Sequence, residues 1–356
     1  MNKLILVFGS LCFMFLLSFC GGDDPQPAKE IEWKSLGLKN HIVNKVLIYK
    51  NNLYAVTDKG FYVKNRKEQS QNWQLLGFEN KKCQSFLIFN ENEIIVSLVD
   101  RGDPSQNGIF KTDDGGNSWF DFSNGFGGGE DVEPAFDISV NPSDSSILYA
   151  VGYYVVARSS DRGLSWNPVF GEWQGFASGL SVVKANPRNP QSLWAGGQNG
   201  IEQGFLLYSK NYGNDWEHWL NLVEAPSVAK EICFHPRKAQ EVYVGFEGGL
   251  IKTPDDGVSW EKLLESDESR FFFGIGINKS SPEKLYTAGW IKRFDEPQPF
   301  IIYQSKNGGQ TWQEHEYEEE DFGGVYDMEL ISEEGKDKLY LGLFKGGVYE
   351  VVFNNP

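Results

Sequence analysis

The chain is poor in the two residue types that build most metal and nucleophile sites. It has four cysteines and four histidines among 356 residues. Cys12 and Cys20 lie in an apolar N-terminal segment, which leaves Cys83 and Cys233. Two cysteines are too few for a disulfide framework or for a zinc site with clustered ligands. The four histidines are scattered without ligand spacing, so neither a metal site nor a histidine-based triad is predicted. They are His41, His218, His235 and His315.

Basic residues are also scarce relative to acidic ones. The chain carries 33 Lys and Arg against 49 Asp and Glu, for a net charge of −16. Nucleic-acid binding depends on Lys and Arg that neutralise phosphates, so this balance argues against a nucleic-acid partner. An acidic surface fits simple solubility or a cationic partner.

The N-terminus has the pattern of a secretory signal. Lys3 precedes an apolar run from Leu4 to Phe19, and this run is shorter than the ~20 residues of a membrane-spanning helix. It ends Leu17-Ser18-Phe19-Cys20, which resembles the lipobox of bacterial lipoproteins. The resemblance implies that residues 1–19 are a cleaved signal peptide and that Cys20 carries the lipid, including palmitate. An uncleaved signal anchor is the alternative.

Residues 20–29 are predicted to be a tether between the lipid and the folded domain. Gly21 follows Cys20 directly, and Asp23 and Asp24 come just after it. These features resemble the sorting signals of outer-membrane lipoproteins, some of which are exposed at the cell surface. The protein is therefore expected in the cell envelope, attached to the outer membrane through its lipid.

A short motif recurs at a spacing of roughly 45 residues, which is typical of a propeller, a solenoid or another repeat array. Its form is Ser/Thr-x-Asp-x-Gly-x-Ser/Thr-Trp. Three copies match fully, at Thr112–Trp119, Ser159–Trp166 and Thr253–Trp260. Two more copies, Ser209–Trp216 and Ser305–Trp312, carry Asn in place of Asp.

A second repeat counts the units. Seven short runs of the kind seen in Leu148-Tyr149-Ala150-Val151 recur along the chain, each preceded by another apolar run. Turns that contain proline, such as Asn141-Pro142, join several of these pairs. Each unit therefore reads as strand, turn, strand, loop, strand, motif, strand. We predict an all-β fold over residues 30–356, a seven-bladed β-propeller of four-stranded blades.

The ends of the chain predict how the ring closes. The seventh unit stops after three strands, and the N-terminal stretch from Glu32 to Gly37 matches Asn72 to Gly77, the last strand of the first unit. A propeller must protect its free sheet edges. We therefore expect residues 30–38 to supply the fourth strand of the last blade.

The recurring motifs resemble the Asp-box, or BNR, repeats of sialidases, some xyloglucan hydrolases, sortilin-type receptors and a photosystem II assembly factor. The resemblance implies turns of structural importance on the face opposite any active site. The structural residues are expected to be Asp114, Gly116, Trp119, Asp161, Gly163, Trp166, Asn211, Gly213, Trp216, Asp255, Gly257, Trp260, Asn307, Gly309 and Trp312.

The catalytic signatures of these families are missing. There is no Arg-Ile-Pro sequence, and only eight arginines occur in the whole chain. Sialidase activity is therefore not expected. Xyloglucan hydrolases of this kind resemble two joined propellers with a cleft between them, whereas only one propeller is predicted here. The assembly factor acts through a basic patch, which the acidic composition does not match. No catalytic residue is predicted.

A ligand site is expected on the loops opposite the recurring motifs, where acidic and aromatic residues mix. This mixture suits a polysaccharide, a basic protein partner, or merely solvated loops. Asp137, Glu231 and Asp327 begin three inner strands, where they could bind Ca²⁺ or line a hydrated channel; no other cofactor is predicted. The candidate binding face comprises Asp131, Glu133, Trp173, Trp290, Asp295, Tyr317 and Asp321.

Three functional hypotheses follow. The first is a lipid-anchored, monomeric, non-catalytic platform that binds a protein partner or a polysaccharide. The second is a glycoside hydrolase or lyase that acts from the acidic loops. The third is a subunit of an outer-membrane assembly.

Overall fold

The computed structural model describes residues 30–68, 72–129, 132–175, 178–220, 222–224, 226–266, 270–318 and 322–354. The predicted signal peptide, the predicted tether and the lipidation site at Cys20 lie outside this part of the chain. Among the described residues, no helix is long and apolar enough to cross a membrane. The only helix there is one 3-10 turn, Pro104–Gln106.

The strands form seven four-stranded antiparallel sheets, which confirms the predicted seven-bladed propeller. Blade one contains β2 (Val43–Tyr49), β3 (Asn52–Thr57), β4 (Gly60–Asn65) and β5 (Gln74–Gly77). Blade two contains β6 (Cys83–Ile88), β7 (Ile94–Leu98), β8 (Gly108–Thr112) and β9 (Phe120–Asp121). Blade three contains β10 (Asp137–Asn141), β11 (Asp144–Val151), β12 (Val155–Ser159) and β13 (Asn167–Gly171).

The remaining blades repeat this order. Blade four contains β14 (Ser178–Ala185), β15 (Leu193–Asn199), β16 (Gly204–Ser209) and β17 (Glu217–Leu220). Blade five contains β18 (Ala229–Phe234), β19 (Val242–Phe246), β20 (Gly249–Thr253) and β21 (Glu261–Glu265). Blade six contains β22 (Arg270–Ile277), β23 (Leu285–Ile291), β24 (Phe300–Ser305) and β25 (Gln313–Tyr317). Blade seven contains β26 (Val325–Glu333), β27 (Lys336–Leu343), β28 (Gly347–Phe353) and the N-terminal β1 (Ile31–Gly37).

The apolar core lies between neighbouring blades. The second strand of each blade is covered on both faces, so its apolar residues run consecutively rather than alternating; Leu148 to Val151 in β11 are all buried. One core cluster joins blades four and five through Trp194, Ala229 and Val244. Cys83 and Cys233 are free thiols on the inner strands of blades two and five.

Tryptophan side chains tie adjacent blades together. In each of these contacts, an indole Nε1–H donates a hydrogen bond to a backbone carbonyl of the preceding blade's outer strand or of the residue after that strand. The donor–acceptor pairs are Trp119 to Leu76 at 3.2 Å, Trp166 to Phe122 at 3.2 Å, Trp216 to Val169 at 3.0 Å and Trp312 to Leu263 at 2.9 Å. The repeat therefore fixes blade spacing as well as the turns.

The ring closes at β1, as the sequence predicts. β1 pairs antiparallel with β28, from Ile31 opposite Phe353 to Gly37 opposite Val348. Two aromatic contacts then join blade seven to both neighbours. Trp33 stacks on Tyr317 of blade six with ring centroids 5.0 Å apart, and Trp73 of blade one donates to the carbonyl of Leu36 at 2.8 Å.

The five recurring motifs form tight turns between the third and fourth strands of blades two to six; we call them the box turns. In the third blade, Asp161 Oδ1 accepts a hydrogen bond from Ser165 N at 2.9 Å and Oδ2 accepts one from Ser165 Oγ at 2.5 Å. Gly163 has φ of 92°, a conformation that glycine adopts without strain. The box-turn acids are thus occupied by the turn itself.

Asp161→Ala is expected to destabilise the protein by about 1–3 kcal/mol, because Ser159 and Ser165 lose their acceptor. Asp161→Asn is the matched control and should cost less, because Asn211 accepts the equivalent backbone bond from Asp215 N at 2.9 Å in blade four. Urea unfolding of both variants measures the difference. Equal destabilisation by Ala and Asn would show that the turn hydrogen bonds do not stabilise the fold.

Candidate functional site

The candidate site is a cavity of about 1250 Å³ around the channel mouth. It is lined by the first residues of the inner strands, including Asn44, Asp137 and Asp327. Strand direction alternates within each blade, so the start of the first strand and the turn between the third and fourth strands lie at opposite ends. The cavity therefore opens on the face away from the box turns.

A repeated backbone irregularity builds the cavity lining. In six of the seven blades, the pairing of the inner strand with its neighbour skips one residue near its start. Such a bulge turns a side chain out of the regular alternation and is common beside binding sites. All six skipped residues line the cavity, and we call them the bulge residues: Asn44, Gln84, Ser181, Lys230, Phe273 and Tyr326.

Below the bulge residues, charged side chains form a network across the channel. Asp137 Oδ1 accepts hydrogen bonds from Lys45 Nζ at 3.1 Å and Ser85 Oγ at 2.9 Å. Lys184 Nζ lies 3.4 Å from Asp137 Oδ2 and 3.7 Å from Glu231 Oε1. Blades one to five are thereby joined through four charged groups and one serine hydroxyl.

The network pushes the pKa values of its carboxyl groups apart. Burial alone would raise the pKa of Asp137, but Lys184 and Lys45 outweigh it and hold the pKa at about 2. Burial raises the pKa of Glu231 to about 7 despite Lys184. Burial likewise raises the pKa of Asp327 to about 6, although Val46 N donates to its carboxylate. One carboxylate is thus firmly ionised beside two that titrate near neutrality.

This arrangement of Asp137, Glu231 and Asp327 does not form a preassembled calcium site. Asp137 and Glu231 face lysine ammonium groups, and Asp327 faces a backbone amide. Among the described residues, no group of three or more His, Cys, Asp or Glu side chains is placed to hold a metal ion.

One side of the cavity is an aromatic wall, formed by Phe271, Phe273, Trp290, Phe294 and Tyr326. Ring centroids are 5.3 Å apart between Phe271 and Phe273, 5.1 Å between Phe273 and Tyr326, and 5.4 Å between Trp290 and Phe294. Phe273 and Tyr326 are half-buried, and Phe294 is 53% exposed. The wall offers apolar ring surface to a ligand, whereas Trp290, only 3% exposed, mainly supports it.

Two lysines lie beside this wall and Arg101 lines the same cavity; we call these three residues the cation cluster: Arg101, Lys230 and Lys292. Lys230 Nζ lies 5.5 Å from the ring centroid of Phe273, and Lys292 Nζ lies 5.6 Å from that of Phe271. Arg101 lies over Phe136, 5.1 Å from the ring centroid. Burial and the positive charges of Arg101 and Lys292 lower the pKa of Lys230 to about 8.

Two of the seven residues predicted for the binding face line the cavity. Trp290 belongs to the aromatic wall, and Glu133 lies near the start of blade three. Glu133 is buried and accepts backbone hydrogen bonds from Tyr153 and Gln174. Its role in the structure is to hold two loops together, and burial raises its pKa.

The other predicted residues lie elsewhere. Trp173 packs against Phe126 with centroids 5.1 Å apart, and Tyr317 stacks on Trp33. Asp295 is exposed and pairs with Lys345 at 2.7 Å. None of these three lines the cavity. Asp131 and Asp321 lie outside the described residues.

The sequence reading missed the basic side of the site. The acidic and aromatic loops were expected to form the binding surface, but five basic and five acidic residues line the cavity. Lys45 and Lys230 stand near the starts of their inner strands, next to the positions where acidic residues were noticed. Their recurrence there is the signal that could have revealed these two, whereas Lys184 lies near the end of β14 and shares no such position.

No family model matches the chain. A Neosartorya fischeri protein named "Probable oligoxyloglucan-reducing end-specific xyloglucanase" is 26% identical over 193 residues, which cover 48% of this chain and 22% of that protein. The chain therefore spans less than a quarter of this relative.

Solved structures give a longer match. The GH74 xyloglucanase from Xanthomonas campestris superposes with a TM-score of 0.67 at 13% identity, over 90% of this chain and 53% of that one. YCF48 from Cyanidioschyzon merolae superposes with a TM-score of 0.61 at 12% identity, over 89% of this chain and 98% of that one. At such identities the likeness shows the fold: this chain is a seven-bladed β-propeller whose structural neighbours include GH74 xyloglucanases and YCF48.

Proposed function

We propose that the protein is an exported, lipid-anchored propeller that binds a saccharide in the central cavity without cleaving it. The observation that carries this proposal is the aromatic wall beside the polar bulge residues Asn44, Gln84 and Ser181. Aromatic rings pack against the apolar faces of sugar rings, and amide and hydroxyl groups exchange hydrogen bonds with sugar hydroxyls. Lipid attachment at Cys20, outside the described residues, is part of the same proposal.

The shape of the site favours a saccharide over a protein partner. Its volume of about 1250 Å³ slightly exceeds the usual range for small-molecule pockets, about 300–1,000 Å³, and suits a short stretch of glycan. Protein partners generally need a broad surface, about 800 Å² on each side, whereas the aromatic residues here face inward around a channel. By its name, the Neosartorya fischeri relative acts on a saccharide, which adds weight to this choice.

A glycoside hydrolase is the second candidate, because two carboxyl groups of the cavity have very different pKa values. Such a pair can divide the acid and base roles of glycoside cleavage. Lys184 lies within bonding range of both Asp137 and Glu231, so their oxygens are at most about 7 Å apart, close to the separation that glycosidases use. Both carboxyl groups already face the ammonium group of Lys184, which is why binding without cleavage is the leading proposal.

The proposal predicts that Phe294→Ala weakens saccharide binding about three- to tenfold with little change in stability, because its half-exposed ring is lost from the wall. Residues 21–356 are first screened on an array of plant and microbial polysaccharides, and affinities for the strongest ligand are then measured by calorimetry. Phe120→Ala is the matched control, since Phe120 is 55% exposed on β9 and does not line the cavity.

An array without a selective ligand would contradict the proposal, and so would equal affinities for both variants and the wild type. Incubation of the strongest ligand with the protein separates the two candidates. Shortened products would favour the hydrolase, whereas an unchanged glycan fits the binding platform.

A further inference from the structure

We infer that the cavity selects a saccharide that bears carboxylate groups and that the cation cluster of Arg101, Lys230 and Lys292 binds one of them. This inference rests on the proposed saccharide-binding function and specifies the chemical class of its ligand. The ligand would be a sparsely charged, uronate-containing glycan whose sugar rings contact the aromatic wall.

The geometry brings two ammonium groups onto one part of the wall. Lys230 Nζ and Lys292 Nζ lie 6.0 Å and 5.6 Å from the same ring centroid, that of Phe271. Lys230 is a bulge residue, so the irregularity in β18 is what turns its side chain into the cavity. The bulge residue of the next blade, Phe273, lies 5.5 Å from the same ammonium. The ammonium group that would bind the carboxylate and the ring that would contact the sugar therefore occupy the bulge positions of two neighbouring blades.

The cluster holds more positive charge than its surroundings neutralise. Within the described residues, none of its three members makes an ion pair or a side-chain hydrogen bond with another residue. Glu247 interacts electrostatically with Lys230 and Lys292. It is buried, and that burial raises its own pKa. One such carboxyl group cannot balance three cations, so an incoming carboxylate would find donors that are not already occupied.

The electrostatics of Lys230 agree with this reading. Burial, Arg101 and Lys292 lower its pKa to about 8, which means that the folded protein disfavours its charge. A ligand carboxylate beside it would relieve that cost and form charge-assisted hydrogen bonds. Because Lys230 is held at this cost beside a cavity, it is a candidate for ligand binding.

The rest of the molecule restricts the kind of anion. The chain has a net charge of −16, and this repels densely charged chains such as nucleic acids or heavily sulfated glycans. A uronate chain carries at most one negative charge per sugar ring and presents apolar ring faces to the aromatic wall. Such a chain therefore fits both the cation cluster and the aromatic wall.

The test compares acidic oligosaccharides with their carboxyl-reduced counterparts, in which –CH₂OH replaces –COO⁻. The probes are tetragalacturonate and a xylo-oligosaccharide that carries one glucuronic acid. Binding to residues 21–356, which contain every strand of the propeller, is measured by calorimetry at pH 7. At least one acidic probe is expected to bind about tenfold more tightly than its reduced form.

Variants locate the source of the preference. Lys230→Met should reduce the acid-to-neutral affinity ratio severalfold while the neutral probe still binds, since the aromatic wall, Arg101 and Lys292 are kept. Lys262→Ala is the control, because it removes one exposed positive charge on β21, away from the cavity. Glu247→Gln should raise the affinity for the acidic probe by removing a competing carboxylate. Thermal unfolding of each variant shows whether it is folded.

The outcomes separate this inference from the function on which it rests. Equal binding of acidic and reduced forms would overturn the carboxylate inference and leave saccharide binding intact. If no saccharide binds and a peptide with a free C-terminal carboxylate does, both proposals fail. A preference that Lys230→Met leaves undiminished would also overturn the assignment of the cation cluster.

Discussion

A chain that begins at residue 39 is expected to lose cooperative unfolding, because it lacks β1 (Ile31–Gly37). Without this strand, β28 becomes an exposed edge and the stack of Trp33 on Tyr317 is lost. Trp73 also loses the carbonyl of Leu36, its acceptor in blade seven. Blade seven then loses these outer contacts to both neighbours and keeps only the packing of its inner strands, such as β26 against β22 and β2. Since the whole fold of such a domain is stabilised by only about 5–15 kcal/mol, the loss should remove most of it.

Chemical denaturation followed by circular dichroism measures this effect. A chain that begins at residue 30 keeps β1 and serves as the control, with one sharp transition expected. A sharp transition at the same denaturant concentration for both chains would show that the ring closes without the N-terminal strand.

The variant Asp137→Asn is expected to destabilise the protein by about 3 kcal/mol or more. The carboxylate of Asp137 is buried between Lys45 and Lys184. Its neutral replacement would leave both ammonium groups in a desolvated channel with less compensating charge. Asp295→Asn is the matched control, because Asp295 pairs with Lys345 at an exposed surface and should change stability by less than about 1 kcal/mol.

The effect of Asp137 also has a predicted pH dependence. Its folded-state pKa of about 2 is lower than its unfolded-state value of about 3.9, so its contribution is fully present above about pH 4 and disappears as the pH falls through about 2. The difference between the wild type and Asp137→Asn should therefore be constant from pH 5 to 7 and shrink toward pH 2. A difference that does not change with pH would contradict the role assigned to its charge.

The raised pKa values of Glu231 and Asp327 act in the opposite direction. A carboxyl group whose pKa rises on folding destabilises the native state as the pH increases from its unfolded value through its folded value. With folded values of about 7 and about 6, these groups should lower stability between about pH 4.5 and 7. The combined contribution of Asp137, Glu231 and Asp327 to stability is thus expected to be greatest near pH 4.5.

Local sequence patterns were sufficient to predict the fold. Runs such as Leu148 to Val151 mark the buried second strands because both of their faces are covered. The match between Trp33 and Trp73 predicted closure because Trp33 lies in the outer strand of blade seven and Trp73 directly precedes that of blade one. Each tryptophan contacts the preceding blade. Both signals can be recognised in the sequence, because they depend only on residues that are close along the chain and on the repeated units.

The site could be predicted only in part, because its lining depends on bulges. A regular strand alternates its side chains between two faces, and a bulge breaks this alternation without a sequence mark. Lys230, Phe273 and Tyr326 face the cavity because one residue is skipped in the pairing. Sequence patterns also placed Tyr317 in a binding loop, whereas its ring packs on Trp33 from another blade.

The central claim is that the ligand site is the cavity opposite the box turns and that it holds a saccharide against the aromatic wall. A crystal structure of the protein with the tightest-binding oligosaccharide from the array tests this most directly. The account predicts a sugar ring packed on Phe273 or Phe294, with a carboxylate within about 3 Å of Lys230 Nζ. A saccharide bound at the box turns or on the outer strands, with the cavity containing only water, would contradict it.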